Sequence, residues 1–226
     1  MGQQPYRYER KFLVDQMDAQ QVRGMVRRHP AMFYEPYPPR YVNNLYLDTE
    51  GMENYFDNVS GTSDRRKVRI RWYGDLFSTV ENPTLEFKVK RGLVGTKYSY
   101  PFAPFALDER FCHTYYRDVL RQANLPPQVR EYMHEVHGVL CNRYYRRYFA
   151  TKDQRFRVTI DAQMTFYQVR KAANRFLHKY VDYNHIVVEL KYAPPLDVEA
   201  DRISSFFPFR LTRNSKYITG IESVYE

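Results

Sequence analysis

The chain has 226 residues, enough for one large β-rich domain or two small ones, and its hydrophobic residues are spread along the whole length, which excludes disorder. Its only cysteines, Cys112 and Cys141, exclude a disulfide framework or zinc knuckle, and no segment approaches the roughly 20 apolar residues of a membrane span. Thirty-five Lys and Arg against 26 Asp and Glu leave a formal net charge of +9, which calls for an anionic partner without choosing among nucleic acid, nucleotide, polyphosphate and acidic membrane.

In chain order, YRYERKF opens a strand over residues 6–14 that sets Arg7, Glu9 and Lys11 on one face. Asp15 is expected to cap a helix over about 16–28. The Pro-rich stretch HPAMFYEPYPPR at 29–40 reads as a connecting loop. A second strand, 41–49, puts Asn44, Tyr46 and Asp48 on one side and Leu45 and Leu47 on the other. Two strands follow at about 65–74 and 83–91, with Lys67, Arg69 and Arg71 alternating in the first and Glu86, Lys88 and Lys90 in the second. Residues 91–95 turn the chain into GTKYSYPF, which carries Lys97.

From about 107 to 137 the apolar spacing becomes helical, and Pro126-Pro127 suits a helix start. Strands are expected again at 139–150, 155–162, 163–170 and 185–192, with Arg155, Arg157, Thr159 and Asp161 alternating in one and Glu189 and Lys191 in another. A short helix closes the chain. The reading is one domain over 1–226, α+β, in which an antiparallel sheet curves enough to close and a helical insert at about 107–137 flanks it.

A solvated sheet face normally mixes Thr, Ser, Gln, Glu and Lys. These faces are dominated by Arg and Lys in close file, and like charges directly opposite one another destabilise a sheet. Closure would turn them inward, and buried cations need partners, so the expected interior is a narrow wet channel that takes an anion. Arg offers forked donors that match phosphate oxygens, and Lys a mobile point charge. Among so many cations, Glu9, Glu86, Asp161 and Glu189 read either as ion-pair partners or as hard oxygen ligands for Mg²⁺ or Mn²⁺.

On these segments the chain resembles the VTC-domain polyphosphate polymerases, a branch of the triphosphate tunnel metalloenzymes. The matching stretches are RYERKF, NNLYLDT, KVRIRWYG, LEFKVKRG, GTKYSYPF, YYRRYF, RVTID, VVELKY and SKYITG, in family order. The resemblance implies a closed antiparallel barrel that binds a nucleotide triphosphate with a divalent metal. It implies Lys11, Arg69, Arg71 and Glu189 as catalytic residues, with Glu189 the principal metal ligand and Glu9 and Glu86 beside it. Arg7, Lys67, Lys88, Lys90, Lys97, Arg146, Arg157, Lys191 and Lys216 are the expected substrate-binding cations. The wider superfamily opens with Glu-x-Glu-x-Lys. Here Arg7-x-Glu9-x-Lys11 replaces the first carboxylate, as in the VTC branch, and favours one catalytic metal.

Eukaryotic members carry a regulatory domain and membrane helices. This chain is expected to act in the cytosol, alone or with a separate membrane protein. The implied reaction moves the γ-phosphoryl group of ATP to a growing polyphosphate chain, and nucleic acid is not an expected partner. Two alternatives stay open. One is a triphosphate or nucleoside-triphosphate hydrolase of the same fold, with Glu9 or Glu86 orienting water. The other is a non-catalytic binder using Tyr73, Tyr98 and Tyr100 as a stacking platform. Other motifs carry no function: the GLVGTK stretch lacks P-loop spacing, His134-Glu-Val-His137 is one residue short of the zinc-protease motif, and Ser215 beside Lys216 has no oxyanion motif.

Overall fold

The computed structural model describes residues 2–3, 6–92 and 94–225. Its strands are β1 (Gly2–Gln3), β2 (Tyr8–Val14), β3 (Arg40–Asp48), β4 (Asp64–Tyr73), β5 (Thr79–Val80), β6 (Thr84–Arg91), β7 (Val94–Pro101), β8 (Phe105–Ala106), β9 (His137–Ala150), β10 (Arg157–Gln168), β11 (Lys179–Asp182) and β12 (Ile186–Tyr192). Its helices are α1 (Ala19–Arg27), α2 (Glu53–Ser60), α3 (His113–Gln122), α4 (Pro127–Glu135), α5 (Asp197–Ser205) and α6 (Lys216–Tyr225).

The main sheet runs β1-β7-β6-β4-β3-β9-β10-β12-β2, and every pair in it is antiparallel. Its two ends belong to one stretch of chain. Between them Arg7 N donates to Gly95 O at 3.2 Å and Gly95 N to Arg7 O at 3.4 Å, so the start of β2 rejoins β7. The sheet closes there into an eight-walled barrel, because β1 and β2 share the pairing on β7 and β12 that an edge strand would leave open.

Period-two alternation decides what each wall buries. Outside, Val68, Ile70, Trp72 and Leu85 pack with Leu107, Phe111, Tyr116, Val119, Leu120 and Met133 beneath α3 and α4. On the opposite side Phe12, Val14, Val158, Ile160, Val188 and Leu190 pack with Val22 and Val26 of α1, Ala200 and Ile203 of α5, and Phe207 and Phe209. Each such side chain contributes about 1.5–3 kcal/mol on burial. The third apolar cluster closes one end of the barrel. There Tyr217, Ile221 and Val224 of α6 meet Tyr46, Leu140, Met164, Phe166 and Val187. A Cβ at Gly220 would lie 2.5 Å from Leu140 and 2.6 Å from Phe166, so only glycine lets α6 seat this deeply.

Several expectations need correction. The cap of α1 is Asp18, not Asp15: its carboxylate accepts from Gln20 N and Gln21 N, both at 2.8 Å, and Gln21 Oε1 accepts from Asp18 N, completing a capping box. The strands expected at 155–162 and 163–170 are one strand, β10, with a bulge between Ala162 and Thr165 where Gln163 takes φ 52°. In the turn at 91–95, Leu93 lies outside the described residues. Helix α2 was not foreseen, since Asn, Asp, Val and Ser are poor helix formers. Its cap comes from the preceding strand rather than from the helix's own first residues. Asp48, at the end of β3, accepts from the backbone N–H of Asn54 and Tyr55, each at 2.9 Å, and from the Tyr217 hydroxyl of α6. Helix α5 and strand β11 were also missed. No helix of the described chain is long and apolar enough to cross a membrane.

A cationic tunnel as the candidate active site

Register fixes which side chains share the interior. Glu86 faces Arg69 and Ser99, Lys88 faces Lys67 and Lys97, and Glu189 faces Lys11 and Thr159. Asp161 faces Arg146 and Val187, and Lys191 faces Glu9 and Arg157. Directly opposed residues point to one face of a sheet, so these side chains face inward, with Arg157 at the rim. Helix α6 adds Lys216 from below.

The ions form distinct groups. In the first, Arg69 donates through Nε and Nη2 to one oxygen of Glu86 at 2.8 and 2.7 Å. Lys97 takes the other oxygen at 2.6 Å, and Arg71 stands at 3.5 Å. Burial alone would raise the Glu86 carboxyl, but Arg69, Arg71 and Lys97 together hold it far below its ordinary range. Arg71 is also steadied by Asn44 Oδ1 at 2.9 Å and the Tyr144 hydroxyl at 3.2 Å.

In the second group Arg146 makes a fork on Asp161, with both bonds 2.6 Å, and Lys216 joins it at 2.7 Å. Glu189 sits beside them, with Lys191 at 2.8 Å, Lys11 at 3.3 Å, Arg146 at 3.7 Å and Lys216 at 4.0 Å. Burial opposes its charge, but these four cations hold the Glu189 carboxyl well below its usual range. Glu9 is paired with Lys88 at 2.7 Å.

Lys67 differs from the other cations in the bore. No carboxylate pairs with it among the described residues, and its ammonium donates to Ser215 Oγ at 2.5 Å. Burial, then Lys11, Lys88, Arg65 and Arg69, push its pKa well below the ordinary lysine value. Lys88 is drawn down to about 8, by burial first, with Glu9 opposing. Among the described residues nine cations (Lys11, Lys67, Arg69, Arg71, Lys88, Lys97, Arg146, Lys191 and Lys216) thus share the bore with four carboxylates, Glu9, Glu86, Asp161 and Glu189. Such an interior favours a multivalent anion.

The VTC-domain family profile matches residues 6–225. The chain belongs to the VTC-domain family. No curated protein matches it in sequence. Among solved structures, this VTC domain is similar to an adenylate cyclase candidate from Bacillus halodurans, with 14% identity, TM-score 0.53 and full coverage of both chains. A second adenylate cyclase candidate, from Vibrio parahaemolyticus, has 10% identity and TM-score 0.52 over 94% of this chain and 97% of its own. A third, from Hippeastrum, is described as having a dominant triphosphatase activity, and shows 11% identity and TM-score 0.52 over 96% and 95%. At these identities the likeness is one of fold, that of the triphosphate tunnel.

The VTC domain brings most of the expected residues together. Lys11, Lys67, Arg69, Arg71, Lys88, Lys97, Arg146, Glu189, Lys191 and Lys216 share the interior. Arg7 and Arg157 lie at its rim, Arg157 exposed to solvent, and Lys90 stands near Arg65 and Arg213 toward the α6 end. Arg155 of the same alternating row is outside, paired with Glu199 of α5 at 2.6 Å.

Glu9, Glu86 and Glu189 do not converge: among the described residues no three His, Cys, Asp or Glu side chains form a group that could hold a metal. Tyr73, Tyr98 and Tyr100 do not form one platform either. Tyr98 and Tyr100 sit opposite Phe87 and Leu85 on the outer face, and Tyr73 continues the inward row of Arg69 and Arg71. Sequence reasoning missed Asn44, Tyr46, Asn142 and Tyr144 as lining residues, although the period-two rows of β3 and β9 carry them. It also set Ser215 aside, whose hydroxyl meets Lys67 from another part of the chain.

Proposed function

We propose that this triphosphate-acting tunnel enzyme is a polyphosphate polymerase that uses ATP. The terminal oxygen of a polyphosphate chain forms a new bond to the γ-phosphorus of ATP, the bond from that phosphorus to the β,γ-bridging oxygen breaks, and ADP leaves with the electron pair. Phosphoryl transfer asks little covalent chemistry of a protein, mainly in-line placement and surrounding positive charge. The observation that carries the proposal is the excess of cations over carboxylates in a closed bore, with Lys67 lacking a carboxylate partner among the described residues.

In this reading Arg69 and Arg71, locked by Glu86, present forked donors to the donor phosphates. Lys11, whose pKa is raised by Glu189 and Glu9 against the pull of burial, stays charged beside the group that moves. Lys67 and Lys88 gain their missing counter-charge when phosphate arrives, and Arg146 and Lys216, tied to Asp161, bound the far wall.

The carboxylates of the bore differ in how well they suit a divalent ion. Glu189 is ionised and its four cation contacts spread from 2.8 to 4.0 Å, so it can turn an oxygen to a metal. Glu9 stands diagonally across the β2–β12 pair from Glu189 and feels its charge. One or two carboxylates with substrate phosphates completing the shell is the usual arrangement for Mg²⁺, and Mn²⁺ accepts the same ligands. Glu86 does not fit, because both of its oxygens are already taken by cations. When bound, the metal would neutralise bridging phosphate oxygens.

The acceptor is already an ionised phosphate, so no general base is required. Of the carboxylates that a hydrolase would use to orient water, Glu86 has both oxygens on cations and Glu9 is paired through one oxygen with Lys88. The test is incubation of the purified protein with ATP and Mn²⁺, with Lys11→Ala and Glu189→Ala as controls. A ladder of polyphosphate on a gel, lost in both variants, is expected. Free phosphate alone would establish the hydrolase instead, and binding without turnover a phosphate-binding protein.

A further inference from the structure

The two ends of the tunnel are chemically unlike. At one, α6 fills part of the opening and the remaining rim carries Arg65, Lys90 and Arg213. At the other, three neighbouring walls, β4, β3 and β9, end their inward rows in large side chains. On β4 the row Arg69, Arg71 ends in Tyr73. On β9 the row Tyr144, Arg146 ends in Tyr148, and on β3 the row Tyr46, Asn44, Val42 ends in Arg40. Successive inward residues on one strand are about 6.6 Å apart along it. Tyr73 and Tyr148 therefore stand one step outside Arg71 and Arg146, the outermost cations on their walls.

The rim is already assembled. The Arg40 guanidinium lies 4.0 Å from the centre of the Tyr73 ring and 5.3 Å from that of Tyr148, and its Nε donates to the Tyr148 hydroxyl at 3.3 Å. Tyr37, from the Pro-rich loop, meets Tyr148 edge-on at 6.0 Å. Arg146 connects the rim to the bore, 5.9 Å from the Tyr148 ring. Tyr73 is 48% and Tyr37 62% exposed, and among the described residues no carboxylate pairs with Arg40. Exposed tyrosine rings thus stand at the mouth beside a cation without a carboxylate partner among the described residues, and Arg40 already covers one face of Tyr73.

We propose that Tyr73, Arg40, Tyr148 and Tyr37 form the nucleoside subsite of the tunnel: the base stacks at this mouth while the triphosphate reaches inward past Arg71. The inference rests on the polymerase reading and adds to it a direction and a specificity element. Phosphate needs no π-face, so an aromatic rim is useless to the inorganic chain and useful to the nucleoside. The donor nucleotide then enters at the tyrosine mouth, and the inorganic chain extends toward Arg65, Lys90 and Arg213. Base stacking on tyrosine is tolerant of base identity, since every base offers a π-face, so purines bind better than pyrimidines with little distinction between adenine and guanine.

Calorimetry separates base from phosphate. The probes are β,γ-imido-ATP and inorganic tripolyphosphate, each with Mn²⁺, titrated into the wild type, Tyr73→Leu and Tyr73→Phe. The expected result is that Tyr73→Leu weakens imido-ATP by about 5- to 100-fold, the usual loss for one base–aromatic stack. Tripolyphosphate binding and the melting temperature stay unchanged, and Tyr73→Phe restores the affinity. Equal weakening of both probes would make Tyr73 a merely structural residue and overturn the proposal, as would unchanged imido-ATP binding in Tyr73→Leu. A wild type that fails to bind tripolyphosphate would instead overturn the polymerase reading, and this inference with it.

Discussion

Glu86 and Glu189 are both nearly buried carboxylates on tunnel walls, each surrounded by cations, yet they stand in different positions. Glu86 is the only carboxylate paired with Arg69, Arg71 and Lys97 among the described residues, and both of its oxygens are taken. The cations around Glu189 each have a second carboxylate: Asp161 serves Arg146 and Lys216, and Glu9 lies close to Lys11 and Lys191. A carboxylate in a cationic tunnel can thus be a fixed brace or an available ligand. What separates the two is whether its neighbours have another partner. The brace gives up chemistry to hold two arginines still; the ligand can loosen one contact without leaving a charge stranded.

The sharpest way to break this comparison is Glu86→Gln. It strands three cations, and removing one partner of a buried ion pair costs roughly 3–5 kcal/mol. Denaturant unfolding should show a loss of that size, recovered in part by tripolyphosphate; a loss as small as a surface substitution would refute the brace. Glu189→Gln should do the reverse. Its unfolding free energy should fall clearly less than that of Glu86→Gln, while metal-dependent turnover drops on the order of 100-fold. Comparable stability losses in the two variants would erase the distinction.

Lys67 gives a smaller effect of opposite sign. Replacing a partly buried ammonium that has no carboxylate partner among the described residues by an apolar side chain of similar length removes a destabilising charge. Lys67→Met should therefore raise Tm by about 2–4 °C, the shift of roughly 1 kcal/mol in a chain of this size. Its affinity for tripolyphosphate should fall at the same time. A lowered Tm would mean that the Ser215 contact outweighs the cost of desolvation.

The smallest expected effect is with pH. The Lys88 pKa is depressed to about 8 in the fold from an ordinary 10.5. Between these values the unfolded chain holds a proton that the fold has released, so the contribution of Lys88 to stability rises with pH across that window. Binding of an anion works the other way by restoring the proton. Tripolyphosphate affinity should weaken as pH climbs through 8, and calorimetry in two buffers at pH 8.5 should register proton uptake. Pairing with Glu9 alone, without a role for the bound anion, would leave affinity flat across this range.

The rows of alternating charge were readable as strands because a period of two is a local property of the backbone. Arg69 and Ile70 had to face opposite ways whatever the fold. The cap of α1 was legible too, had the Asp18–Gln21 spacing been weighed above Asp15. Helix α2 was not, because its own residues favour it weakly and its cap, Asp48, lies on β3. The bulge at Gln163 was hidden for a related reason: a single extra residue in a ladder leaves no trace in composition.

Local pattern, then, determined that this chain builds walls with one charged and one apolar face, and which residues share each face. Tertiary structure decided that Arg7 meets Gly95 and turns those faces inward. Register set Glu86 against Arg69, and Asp161 against Arg146. The seating of α6 brought Ser215 to Lys67. These outcomes depend on pairings between residues distant in sequence, whose free energy comes from closing the barrel and burying its outer face, and no local window carries that information.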